Sequence, residues 1–214
     1  MGYIEFSMPR EIVLRFRDRG GIKYFVETGT FRGTTSFWAA QHFEKVFTIE
    51  IDPEISRQTA SRANRPGNIE FLVGNSKDVL PQVIRQLQGN AIFWLDGHWC
   101  NVTDLGKDME CPLIDELHAL RSLKDSVILI DDARAFLGPL PPPHDNAQWP
   151  RVDEIFLLLK SQFPANLVTI ADDVIYCLPP GMVSAYDEDY ISQFRRRYEE
   201  RPGIIKRVWN KIAH

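Results

Sequence analysis

Residues 25–52 read FVETGTFRGTTSFWAAQHFEKVFTIEID. A short apolar run from Lys23 to Val26 ends in Glu27, and Gly29 and Gly33 bracket a turn where backbone can approach a ligand with no Cβ in the way. Thr34, Thr35 and Ser36 follow as hydroxyl caps for a helix. Val46 to Ile49 is a second apolar run, closed by Glu50 and then Asp52. Strand, glycine turn, helix, strand and terminal acid make one half of a nucleotide-binding α/β unit. A carboxylate about 20 residues past the glycine turn is where such units hold the two hydroxyls of an adenosine ribose. The competing reading is a tight βα turn in some other α/β protein, shaped by two glycines and a glutamate.

What the turn lacks narrows the ligand. A dinucleotide fingerprint is GxGxxG, whereas the run from Glu27 is ExGxxxG, with a carboxylate where the first glycine would stand. An anion beside a pyrophosphate is unfavourable; beside an ammonium and a sulfonium it is favourable. That contrast favours S-adenosylmethionine (SAM) over NAD. The segment resembles the class I SAM-dependent methyltransferases, whose first motif is an acid followed by spaced glycines and whose second is the acid ending the second strand. The resemblance implies Glu27, Gly29, Thr30, Gly33, Thr34, Thr35 and Glu50 as cofactor-binding positions.

The rest of the chain alternates short apolar strands with amphipathic helices, without repeats or a long linker. Helices are expected over 9–19, 53–64, 77–88, 112–122 and 151–162, and strands over 69–73, 91–95, 127–130, 167–170 and 174–178. The last two strands flank Asp172-Asp173 closely enough for a hairpin. The expected fold is α/β and Rossmann-like: a doubly wound, mostly parallel seven-stranded sheet with a terminal antiparallel strand, as class I methyltransferases have. The expected organisation is an N-terminal helical extension over 1–22, a SAM-binding core over 23–180 and a basic amphipathic tail over 181–214.

Composition bounds the function. At 214 residues with a net charge of −4, the chain suits one well-cored domain with an appendage and does not point to a nucleic-acid partner. No secretory pattern opens it and no apolar run is long enough to span a bilayer, so a cytoplasmic protein is the expectation. Cys100, Cys111 and Cys177 lack CxxC spacing and read as reduced thiols; a zinc site would have to recruit His98 or His118.

Chemistry is expected beyond the carboxyl ends of strands four and five, where open α/β sheets bind ligands. Asp96 closes FWLDGHW, and Asp131 and Asp132 close ILIDDAR. Three carboxylates on one rim need positive charge between them: a hard divalent cation, or a cationic cofactor with a basic side chain. The pattern resembles the catechol O-methyltransferase type, which implies Asp96, Asp131 and Asp132 as Mg²⁺ ligands. The alternative is that Asp131 caps the next turn and Asp132 pairs with Arg134.

Methyl transfer is an in-line displacement, so the protein chiefly aligns the reactants and removes a proton. His98 is the most economical base, with Asp96 to orient it and Lys107 as the second candidate. A surface or packing role is the competing reading of His98. Asn75 and Ser76 after strand three are candidate adenine contacts, or a plain helix start; Asp96 also borders the cofactor. The 100–112 insertion and the proline-rich 138–150 loop suit acceptor walls or lids, with Trp99 and Trp149 placed to stack on a sugar face or aromatic ring.

At a finer level, FVETGTFRGTT, FWLDGHW with GKDMECPLIDEL, and VILIDDARAFLGP resemble little-characterised bacterial methyltransferase-like proteins associated with surface-polysaccharide or secondary-metabolite pathways. The likeness spans roughly 23–178, and its members differ at 97–101, so His98 as base is this sequence's own suggestion. The implied activity is O-methylation of a sugar, glycan or small metabolite, with a NAD-dependent oxidoreductase or a catalytically silent SAM-binding scaffold as alternatives. Between Arg195 and Lys211 stand seven basic residues against Glu199 and Glu200, with an apolar stripe of Ile204, Ile205, Val208, Trp209 and Ile212. Such a segment suits its own domain, a homo-oligomer contact or peripheral contact with an anionic membrane.

Overall fold

Seven strands and seven α-helices follow one another over residues 8–101 and 103–198, the part of the chain that the computed structural model describes. The helix α1 (Arg10–Gly20) leads into β1 (Tyr24–Thr28), α2 (Thr34–Ala39), β2 (Lys45–Glu50), α3 (Pro53–Ala60) and β3 (Ile69–Val73). The second half runs α4 (Ser76–Ile84), β4 (Ala91–Leu95), α5 (Leu113–Leu120), β5 (Val127–Ile130), α6 (Val152–Gln162), β6 (Leu167–Ala171), β7 (Val174–Leu178) and α7 (Pro180–Tyr198). All the strands appear where the apolar runs place them. The helices α3, α4 and α5 stop two to four residues short of the sequence expectation. Periodicity persists into the Ser61 and Arg85 turns, where capping carbonyl contacts already close the helix.

The seven strands form one sheet in the order β3-β2-β1-β4-β5-β7-β6. Strands β1 to β5 are parallel to their neighbours, and β7 runs antiparallel between β5 and β6. This is the Rossmann-like methyltransferase fold, with the last strand among the described residues inserted one place in from the edge. The Asp172-Asp173 turn makes that insertion possible: both residues adopt positive φ, 47° and 67°, and reverse the chain tightly.

Each central strand is apolar on both faces, as a sheet covered by helices on both sides requires. Val26, Phe93, Leu95 and Ile128 face α4, α5 and α6; Phe25, Ile92, Trp94 and Val127 face α1, α2 and α7. The leading helix belongs to this second layer. Ile12, Val13 and Phe16 are fully buried with Met182, Ala185 and Tyr186 of α7, so α1 and the first turns of α7 complete the core. The basic tail read from the sequence beyond residue 198 lies outside the described residues. No described helix is long and apolar enough to cross a membrane.

One contact sets the geometry of the functional rim. β1 and β4 pair side by side, and each diverges from the pairing at Gly29 and Asp96. Gly29 has φ +87°, and a Cβ there would lie inside the carbonyl oxygen of Asp96. The positive φ costs a non-glycine residue about 1–3 kcal/mol, and the overlap adds to it. Gly29→Ala is therefore expected to lower the urea midpoint of unfolding, which a denaturation curve followed by circular dichroism will show; an unchanged midpoint would refute the close approach.

Candidate active site

The glycine turn is held from below. Glu27 is buried at the end of β1, accepting hydrogen bonds from Ser36 Oγ and from Thr48 Oγ1 at 2.8 Å. Thr30 and Thr48 share a hydroxyl hydrogen bond of 2.7 Å. Ser36 therefore ties α2 to β1 instead of capping the helix. The cap position is Gly33, at φ +68° and with no side-chain bond, so the hydroxyl caps expected from Thr34, Thr35 and Ser36 do not form. Burial raises the Glu27 carboxyl to about 7 in spite of the hydroxyl donors, with the charge of Glu50 adding to the rise.

Above the turn lies an open cleft over the ends of β1, β2, β3 and β4. Of the sequence candidates, Gly29, Glu50, Asn75, Ser76 and His98 line it. Glu27, Thr30, Gly33, Thr34, Thr35 and Asp96 do not line it. Glu50 ends β2 with both carboxylate oxygens fixed: one accepts from the N–H of Phe31 at 2.8 Å, the other from that of Asp52 at 3.0 Å. Asn75 caps α4 through a 3.2 Å bond from the Lys77 N–H. Ile51, Ile55 and Met109 give the cleft an apolar side. A carboxylate at the end of β2, an apolar slot and a polar helix start are what an adenosine needs: ribose hydroxyls to donate, a flat base to bury and its edge to bond. The cradle at Gly29, which a Cβ would fill, fits the same ligand.

Beside the cleft, β4 and β5 deliver the acidic cluster. His98 stands between two carboxylates: its Nε2 is 2.9 Å from Asp132 Oδ2 and its Nδ1 3.7 Å from Asp96 Oδ1. The guanidinium of Arg134 pairs with Asp132 Oδ1 at 2.8 Å and also with Asp173, on the hairpin turn. Asp131 Oδ1 accepts the Asp132 N–H at 2.7 Å. The cluster thus gathers Asp96, His98 and Asp132, with Asp131 turned to its own backbone. Lys107 lies exposed in a short 3-10 turn over Lys107–Met109 and does not line the cleft.

Charge and burial set the protonation of this group. Burial raises the Asp96 carboxyl well above its ordinary range, reinforced by Asp131 and Asp132 and opposed by His98. Burial and the adjacent Asp132 bring Asp131 to about 6. Asp132 goes the other way: burial would raise it, but His98 and Arg134 hold it below the usual carboxylate value. For His98, burial would lower the pKa, and the hydrogen bond to Asp132 with the three carboxylate charges outweighs it, so the net direction is up.

Two long loops close the flank, and Glu110 joins them. This carboxylate is 1 % exposed and accepts from Trp149 Nε1 at 2.7 Å and from the Asp145 N–H at 2.9 Å, with His144 Nδ1 also at 2.9 Å. Burial would raise its pKa, and these bonds prevail and lower it. Trp99 and Trp149 are buried, and both indole N–H groups are spent inside the protein, on the Thr103 carbonyl and on Glu110. Trp149 packs against His98, Phe136 and His144 and does not line the cleft, whereas Trp99 does line it. Glu110, Glu116 and Asp173 were not singled out from the sequence. Glu116 carried a signal: it shares the face of α5 that buries Leu113, Leu117 and Leu120. Its carboxyl lies beside Thr28 and Ser76, beneath Gly97, and burial raises its pKa.

No family model matches the chain, and no curated protein matches its sequence. Solved structures match its fold. A candidate caffeoyl-CoA O-methyltransferase of Staphylococcus aureus superposes with a TM-score of 0.58 at 13% identity, covering 82% of this chain and 86% of its own. Human methyltransferase-like protein 13, in complex with S-adenosylhomocysteine, gives 0.51 at 13% identity over 90% and 91%. A candidate methyltransferase of Streptococcus mutans, also with S-adenosylhomocysteine, gives 0.50 at 9% identity over 81% and 97%. At these identities the likeness shows a shared fold.

The buried Glu27 has a consequence for stability. Its folded pKa of about 7 lies above the ordinary 4.5, so the folded state binds the proton more tightly than the unfolded chain. That stabilisation, on the order of 3 kcal/mol, is full below pH 4.5 and is lost as pH rises through 7. Thermal midpoints measured from about pH 5 to about pH 8 are expected to fall in the wild type and to fall less steeply in Glu27→Gln. Parallel slopes would show that Glu27 is ionised throughout.

Proposed function

We propose that the protein is a SAM-dependent O-methyltransferase acting on a hydroxyl of a sugar, glycan or small metabolite. The observation that carries this reading is the juxtaposition, across the Gly29–Asp96 contact, of an adenosine-type cleft with a histidine held by carboxylates. Glu50 suits the ribose hydroxyls, Asn75 and Ser76 the adenine edge, and Gly29 the close passage of the methionine portion. When bound, SAM supplies an electrophilic methyl group, which passes to the acceptor oxygen while the sulfur keeps the bonding electron pair and leaves as the thioether of S-adenosylhomocysteine.

The chain's own part is to place and deprotonate the acceptor. Asp132 accepts from the Nε2–H of His98, which fixes the tautomer and leaves the Nδ1 lone pair for the hydroxyl proton. Asp96, near Nδ1, stabilises the imidazolium that results. Asp132 is itself kept ionised by His98 and Arg134 together, against its burial, so it can hold the ring. The 97–112 segment lines the open side of the cleft and suits an acceptor wall.

Nicotinamide dependence is the reading to discriminate against. Calorimetry is expected to show binding of SAM and S-adenosylhomocysteine and none of NAD, with Glu50→Ala at least about tenfold weaker for both adenosyl ligands; binding of NAD alone would sink the proposal. With an acceptor found by screening, the rate is expected to rise with pH through a midpoint above 6.5, because the raised pKa keeps His98 protonated, and inactive as a base, beyond its ordinary range. Asp132→Asn removes the group that holds the ring and should shift that midpoint downward. Full activity in His98→Ala would remove His98 from the mechanism.

A further inference from the structure

The magnesium expected from the Asp96, Asp131 and Asp132 pattern requires oxygen lone pairs that converge on one point with near-octahedral geometry. Ligating atoms of Asp96, His98 and Asp132 do lie within 4.8 Å of one another. Their directions disagree with a metal. His98 turns a different ring nitrogen to each carboxylate, Nε2 to Asp132 and Nδ1 to Asp96, so the imidazole is a wedge between the acids and not a ligand beside them. Both oxygens of Asp132 are engaged, one by His98 and the other by Arg134 at 2.8 Å. Asp131 spends an oxygen on the Asp132 N–H.

Arg134 is itself fixed. Asp173, nearly buried on the β6–β7 turn, pairs with its guanidinium, and Asp173 Oδ1 accepts the Arg134 backbone N–H at 2.8 Å. The Asp173 carbonyl takes the Ala133 N–H at 2.8 Å. A guanidinium held between Asp132 and Asp173 occupies the Asp132 oxygen that a dication would need, and its charge repels one.

We infer that Arg134, anchored by Asp173, takes the place of a divalent cation at this rim, so that the protein balances its own carboxylates and needs no metal. The charge balance rests on geometry alone; its consequence for the acceptor rests on the methyl-transfer reading. A bound dication selects acceptors with two neighbouring oxygens that it can chelate. A rim without one, with His98 to take a single proton, accepts an isolated hydroxyl.

The test uses Mn²⁺ as a paramagnetic probe, read by electron paramagnetic resonance on the full chain. Wild type is expected to leave millimolar Mn²⁺ free, and Arg134→Gln, checked for folding by circular dichroism, to bind it at least about tenfold more tightly. If Arg134→Gln does not fold, Asp173→Asn, which releases the guanidinium without removing it, is expected to show the same gain. Mn²⁺ bound by wild type and lost in Asp132→Asn would overturn the inference. Silence in wild type and in the folded variant alike would also overturn it, since Arg134 would then not be what keeps metal out. Calorimetric binding of SAM in EDTA, measured on the same preparations, separates this outcome from a failure of the cofactor reading.

Discussion

The rim of this molecule depends on two backbones passing each other at Gly29 and Asp96 with no side chain between them. β1 and β4 are neighbours at the point where the strand order reverses, so their exits diverge and open a crevice. One exit carries the glycine turn and leads to Glu50 at the end of the next strand. The other carries Asp96 and, two residues later, His98. A bulkier contact would push the exits apart and separate a cofactor-type wall from the histidine that faces it. The hydrogen bonds beneath the turn, from Ser36 and Thr48 to Glu27, act in the same direction by fixing α2 and β2 against β1.

Charge is the second organising constraint. Three carboxylates at the ends of β4 and β5 would repel one another, and the fold answers with His98 from one strand exit and Arg134 from the other. The anchor of Arg134 arrives last in the chain, on the hairpin that inserts β7 beside β5. The antiparallel strand is therefore more than a way to complete the sheet: it carries the acid that holds a cation at the reactive rim.

The fold was legible because it is written in local patterns. Apolar runs of four to six residues, the ExGxxxG turn and the close pairing of the last two strands are properties of neighbouring residues, and each strand appears where they place it. Helix ends were read too long because amphipathic periodicity continues past the last carbonyl that finds a helical partner. The site was half legible. Asp96, His98 and Asp132 end strands that the sequence announces, and they do meet. Glu110 and Asp173 could not be singled out, because their partners lie 34 to 39 residues away and only tertiary contact defines them. Trp149 was hard to place for the same reason: an indole in a proline-rich loop looks available until a buried carboxylate claims its N–H.

Glu110 gives the cleft a direction. One carboxylate gathers His144, Asp145 and Trp149 of the second loop onto the first, and the backbone N–H of Glu110 bonds Gln148 Oε1 in return at 2.8 Å. Parting the two loops would break all of these contacts together, so that flank behaves as a single rigid jamb. Phe31 and Leu105, 44% and 46% exposed, line the same cleft as an apolar sill. Whatever enters the cleft therefore passes exposed apolar side chains beside a flank that is fastened as one piece.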